Sequence, residues 1–211
     1  MTKIYITRHG ESVANTEGIY QGQTYNTDLS PLGKKQAKQL ANLFKNIHLD
    51  RIIASPLKRT YQTAKNVADV KKMELIIKPI VMETNHGEWE GKHKEDIAKQ
   101  WPDIYAQWQE HPAKTGFPKG ETFMQTRERI IEWLGDALAF DGDTLLVTHD
   151  NIVRIIIAEI LKMDLDAIWE LDLNPAGVTE IEITGKDVKM NYINNIDHLK
   201  GLTNNIALHA L

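Results

Sequence analysis

Short apolar runs alternate with longer amphipathic segments along most of this chain, and that alternation restricts the fold more than any other feature. Lys3 to Thr7, Arg51 to Ala54 and Thr144 to Val147 read as short buried strands, and Leu75 to Met82 is strand-like and leads into Glu83. Ser30-Pro31 opens a helix, with serine at the cap, proline in the first turn, and Ala37, Leu40, Ala41 and Phe44 at helical spacing. Ser55-Pro56 repeats the same start for a helix carrying Leu57, Tyr61, Ala64 and Ala68 on one face. Glu121 to Phe140 is the clearest amphipathic helix, and Ile152 to Leu161 is an apolar one. The Trp-rich stretch Trp89 to Trp108 reads as one helix, and Asn15 to Leu29 as a polar loop. Val178 to Ile183 and Val188 to Tyr192 flank Gly185-Lys186 as a hairpin. Strands alternating with helices predict an α/β fold: one three-layer domain over 1–211, a mostly parallel central sheet flanked by helices, and a C-terminal hairpin.

Composition narrows the chemistry. A chain of 211 residues with 42% hydrophobic and 26% charged residues is long enough to bury a sizeable core. The net charge of -4 gives no general attraction to nucleic acid or to a membrane surface. There is no cysteine, which excludes disulfides, thiolate nucleophiles and cysteine-ligated metals. No basic leader with a long apolar stretch begins the chain and no apolar run approaches a membrane span, so a cytoplasmic protein is expected.

The strand ends carry the functional signal. Ligands of open parallel sheets sit outside the carboxyl ends of the strands. Three such ends hold Arg8-His9, Ser55 with Arg59, and His149, and the fourth apolar stretch runs into Glu83. The opposite ends show Lys3, Asp50-Arg51 and Asp143, which read as solvated loop ends. Two arginines, two histidines and an acid at one rim suit a dianion, above all a phosphate. The arginine fork matches phosphate oxygens, and helix N-termini after Ser55 and His149 would add N–H groups.

Each residue taken singly has a plainer reading. Gly10 could place Arg8 and His9 in a surface turn, His149 could cap its helix, Arg59 could be solvated and Glu83 could be a turn carboxylate. His86, His93, His111, His198 and His209 form no tight ligand spacing, so structural or surface roles and no metal are expected. Trp89, Trp101, Trp108 and Trp133 read as core.

Five stretches decide between these readings: T-R-H-G-E-S-V-A-N, A-S-P-L-K-R-T-Y-Q-T-A from Ala54, M-E-T-N-H-G-E-W-E-G from Met82, P-K-G-E-T from Pro118 and T-H-D-N-I-V-R from Thr148. Together, in this order, they resemble the histidine phosphatase superfamily, in the branch that holds the cofactor-dependent phosphoglycerate mutases. The resemblance implies that His9 is the phosphoryl-accepting nucleophile and that Arg8, Arg59 and His149 bind the phosphoryl oxygens, His149 best as a cation. It implies that Glu83 is the general acid and base, and that Asn15, Gln21 and Gly22 contact phosphate or substrate. With that many positive groups no metal or other cofactor is implied, and the partner is a small phosphorylated substrate. It also likens the tail from Asn191 to the family's final strand, as far as His198-Leu199. The chain departs from the family at Asp150, where a small residue is usual. A carboxylate there would either oppose an anionic substrate or hold a neighbouring group.

Mutases of this branch carry additional arginines in the middle segment. Between Gly91 and Gly120 this chain has only Lys92, His93, Lys94, Lys99, His111, Lys114 and Lys119 as bases. A phosphomonoesterase is therefore favoured over a mutase-type phosphotransferase. A non-catalytic phosphate-binding regulator is the third reading, and it would need neither a nucleophile nor an acid.

Overall fold

The computed structural model describes residues 1–203, so His209 lies outside the described residues. Six strands form one sheet: β1 (Thr2–Arg8), β2 (Arg51–Ala54), β3 (Leu75–Ile77), β4 (Thr144–Thr148), β5 (Val178–Thr184) and β6 (Asp187–Asn195), in the order β3-β2-β4-β1-β5-β6. The pairs β1/β4, β2/β4 and β2/β3 are parallel, whereas β1/β5 and β5/β6 are antiparallel. Gly185, at φ 64°, makes the hairpin turn.

The helices are α1 (Val13–Glu17), α2 (Pro31–Phe44), α3 (Lys58–Lys71), α4 (Lys94–Gln100), α5 (Pro102–Glu110), α6 (Phe123–Ala139) and α7 (Asp150–Leu161). Strand residues alternate between two cores because successive side chains leave opposite faces of a sheet. Ile4, Ile6, Ile53 and Leu146 join α6 and α7, whereas Tyr5, Ile52, Ala54, Leu145 and Val147 pack on Leu40, Phe44, Ala64 and Val67 of α2 and α3. That gives the expected three layers, a sheet between two helical faces. Each fully buried Leu, Ile or Phe contributes about 1.5–3 kcal/mol.

Several local expectations are corrected. The strand expected over Leu75 to Met82 ends at Ile77, and a 3-10 turn over Pro79–Val81 follows. Lys78 donates the last ladder bond to the Ala54 carbonyl, and Pro79 has no N–H with which to continue. The Trp89 to Trp108 segment is a 3-10 turn, Gly87–Trp89, followed by the two helices α4 and α5. Gly91 turns the chain at φ 81°, and Pro102 ends one helix and begins the next. The loop expected from Asn15 begins with α1, closed by a reciprocal Ser12–Asn15 cap. Helix α3 begins at Lys58, three residues beyond Ser55, with Leu57 at its cap. The final strand stops at Asn195, and Asp197–Leu199 is a 3-10 turn.

Two glycines bring α2 against the rim. A Cβ on Gly10 would lie 2.7 Å from the Gly33 carbonyl oxygen, and one on Gly33 would lie 1.9 Å from that of Glu11. Only glycine at both places lets the first turn of α2 pack on the loop that follows β1.

Candidate active site

Strand β1 delivers His9 to the rim with its backbone N–H bonded to the Thr148 carbonyl of β4, 2.9 Å away. Its Nδ1 lies 2.7 Å from the Gly10 carbonyl oxygen. A carbonyl can only accept, so Nδ1 carries the ring proton. Arg59 Nε approaches His9 Nε2 at 3.2 Å as a donor. An arginine N–H needs a lone pair opposite, so Nε2 is unprotonated. Two neighbours thus hold the imidazole in the neutral tautomer, whose nucleophilic nitrogen faces a guanidinium.

Arg59 comes from the first turn of α3 and is almost fully buried. Burial, opposed by Glu83 and Glu90, lowers its pKa to about 10, which leaves it charged at neutral pH. Its Nη2 donates to the Gly22 carbonyl at 2.8 Å, and its Nη1 has no partner among the described residues. Gly22 sits at φ 50°, where a Cβ would overlap the Glu90 carboxylate 1.9 Å away. Glu90 in turn accepts from the backbone N–H groups of Gln23 and His86. It therefore ties the Gln21–Gln23 loop to the segment that carries Glu83.

Arg8 is buried at the end of β1 and donates to Asp150 Oδ1 at 2.9 Å and to the Leu173 carbonyl at 3.0 Å. Asp150 thus holds a neighbouring arginine, the second of the two roles open to it from sequence. His149 precedes α7 and is fully enclosed, its ring 5.4 Å from that of His9. The Ser55 hydroxyl lies 2.8 Å from His149 Nε2 and also receives the Leu57 N–H. The hydroxyl thus joins the first turn of the following segment to the His149 ring, while His149 Nδ1 is buried without a partner among the described residues. Burial first, then Arg59 and His9, push the His149 pKa well below its ordinary value. That shift favours the neutral ring, whereas the resemblance implied a cation toward the phosphoryl group. A phosphate dianion would supply the missing counter-charge.

Glu83 is carried by a loop past the 3-10 turn, not by a strand end. Arg129 of α6 fixes that loop by donating to the carbonyls of Ile80, Met82 and Glu83 at 2.7, 2.8 and 3.0 Å. Gln23 donates to the Glu83 carbonyl at 2.7 Å as well. Desolvation, partly offset by the Thr84 N–H on Oε1, pushes the Glu83 carboxyl up to about 7. A carboxyl poised there can both give and take a proton near neutrality.

Arg8, His9, Asn15, Gln21, Gly22, Arg59 and Glu83, all expected from sequence, line one pocket. His149 is not among the residues that line it, although its ring centroid lies 5.4 Å from that of His9. Asp150 also lines the pocket, as do Tyr20, His86 and Asn151, which the sequence did not point to. His86 is buried, not at the surface; burial lowers its pKa to about 3, and its ring packs edge-on against Tyr20 and Phe117. The signal available for it was its place in the Met82–Gly91 stretch; nothing local marks Arg129, one arginine among several on α6. Trp89 and Trp108 are fully buried, as expected of core residues.

Phosphoserine phosphatase 1 of Hydrogenobacter thermophilus is 35% identical over 185 residues, 87% of this chain and 87% of that one. The adenosylcobalamin/alpha-ribazole phosphatase of Escherichia coli is 27% identical over 92% of this chain and 96% of that protein. The solved structure of Bacillus stearothermophilus YhfR superposes with a TM-score of 0.89 at 26% identity, covering 94% of this chain and all of that one. The family profile matches residues 4–196, and this chain belongs to branch 1 of the histidine phosphatase superfamily.

Proposed function

We propose that the protein hydrolyses the phosphomonoester of a small metabolite through a phosphohistidine at His9. The observation that carries this reading is the His9 ring itself. Its Nδ1–H is committed to Gly10 and its Nε2 lone pair faces the pocket beside Arg59. In the first step the Nε2 lone pair forms the N–P bond as the ester P–O bond breaks, and the Glu83 proton goes to the departing oxygen. In the second step a water oxygen attacks phosphorus and its proton passes to the Glu83 carboxylate. The N–P pair then returns to Nε2, which restores the starting enzyme. Arg8, Arg59 and His149 stabilise the equatorial oxygens, where charge spreads during transfer. Asn15, Gln21 and Gly22 border the substrate.

Water as the acceptor is supported by the pocket wall. Its bases are Arg8, His9, Arg59 and His86, and none of the lysines or histidines from 92 to 119 is among them. A second acidic group on the substrate therefore has no dedicated cation. The named relatives that hydrolyse phosphoserine and α-ribazole phosphate favour a small phosphorylated metabolite. No described helix is long and apolar enough to cross a membrane. The test is phosphate release from a panel of phosphomonoesters with excess chelator, followed by alkaline quench and mass analysis of labelled enzyme. Chelator-resistant turnover with label on His9 is expected. Label on a serine or carboxylate, or unchanged turnover by His9→Ala, would overturn the assignment.

A further inference from the structure

Asp150 stands where the sequence departs from its family, and its contacts reach further than one ion pair. One carboxylate oxygen takes Arg8 Nη1 at 2.9 Å and the other takes Arg154 Nε at 2.6 Å. All three side chains are at most 3% exposed. Arg154 is itself fixed, donating to the carbonyls of Ile168 and Leu171 at 2.6 Å each and lying 5.1 Å over the Trp169 ring. It contributes nothing to the pocket wall, whereas Asp150 and Arg8 both line it. The chain Trp169–Arg154–Asp150–Arg8 therefore runs from a packed anchor to a phosphate-binding guanidinium. With two charge-assisted bonds and no mobile end, the plane of Arg8 is set before substrate arrives.

Asp150 also shares the pocket with Glu83. We propose that Asp150 is a positioning residue for the phosphoryl transfer, acting through Arg8, whose fork it orients, in the pocket that it shares with Glu83. This rests on the function proposed above. The groups facing Glu83 have opposing effects. After desolvation, Asp150 of α7 favours the protonated form, while Arg59 of α3 and the Thr84 and Asn151 N–H groups favour the ionised one. Arg8 of β1 couples to Glu83 with the same sign as Arg59, and Arg129 of α6 and Gln23 reach only its carbonyl. Removing the charge of Asp150 leaves desolvation alone to oppose the cations and N–H donors, so Glu83 gives up its proton at lower pH.

Asp150→Asn, nearly isosteric, tests both arms. Binding of inorganic phosphate, read by calorimetry without turnover, should weaken about tenfold or more as Arg8 loses its anchor. The basic limb of kcat/KM for an alkyl phosphate should move at least half a pH unit lower. Asp150→Glu keeps the charge but displaces the carboxylate. It should weaken phosphate binding while leaving that limb in place. If Asp150→Asn does not accumulate as folded protein, the Asp150→Glu pair of readouts decides. Wild-type phosphate affinity in either variant, or an activity loss that is uniform across pH, would overturn the inference. Wild-type enzyme that binds phosphate but shows no turnover would instead remove the reading on which it rests.

Discussion

The rings of His9 and His149 stand 5.4 Å apart, inclined at 65°, with the Arg59 guanidinium against the first and the Ser55 hydroxyl against the second. Two imidazoles this close cannot both be charged in a buried site, and the arginines disfavour either cation further. Ring NMR of the free protein should show His149 neutral at neutral pH, titrating well below the ordinary histidine range. Addition of vanadate or phosphate should raise its pKa and take up a proton. A His149 that titrates normally in the free protein would contradict the burial and the arginine field described here.

Ser55 holds His149 from β2 and touches no other part of the proposed chemistry. Ser55→Ala removes the hydroxyl's bonds to His149 and to the Leu57 N–H; the first, worth about 0.5–1.5 kcal/mol net, should lower activity up to about tenfold. Ser55→Thr keeps the hydroxyl and should recover part of it. Equal activity in Ser55→Ala and wild type would mean that packing alone orients the ring.

Arg59 should carry more. Losing one donor aimed at a developing oxyanion commonly costs about 2.7–4 kcal/mol, or roughly two to three orders of magnitude in rate. Arg59→Lys keeps a charge but lacks the fork that spans His9 and Gly22, and should restore little. Full rescue by lysine would show that a point charge suffices.

Glu83→Gln should discriminate between leaving groups. An alkyl alcohol needs the acid, whereas nitrophenolate departs without one. The variant should lose most turnover of alkyl phosphates and should release a burst of nitrophenol followed by slow steady turnover, because the base for water is also gone. Equal losses on both substrates with no burst would shift the role to Glu11, Glu88 or Glu90.

Stability should follow pH in a way that Glu83 partly masks. The folded-state pKa values of His86 and His149, and of His198, lie below the ordinary histidine value, so their contribution is present above about pH 6.5 and is lost on acidification. The pKa of Glu83 is raised to about 7, so its contribution is present below the unfolded value and is lost as pH rises through 7. The two oppose each other between the ordinary carboxylate and histidine values. Stability should still rise with pH there, since several histidines outweigh one acid. Glu83→Gln should steepen the rise by up to about 1.4 kcal/mol per pH unit, measured by urea unfolding at several pH values. An unchanged slope would mean that Glu83 is ionised in the folded protein.

The sequence by itself determined the layers and the rim. The apolar run Ile4-Tyr5-Ile6, helical spacing in Ala37 to Phe44, and polar residues at the ends of apolar runs all act over a few residues, so they are legible locally. Pro79 and Pro102 are local signals too, and each ends an element that apolar content alone would extend. Tertiary structure alone decided which group holds which. Ser55 meets His149 across 94 residues, Arg8 meets Asp150 across 142, and Arg129 reaches the Glu83 carbonyl across 46. It also decided protonation, because the neutral His149 and the raised Glu83 follow from enclosure by distant elements. Hydrogen bonds need their partners within about 3 Å, and desolvation depends on everything packed around a group. Neither is encoded in the spacing of nearby residues.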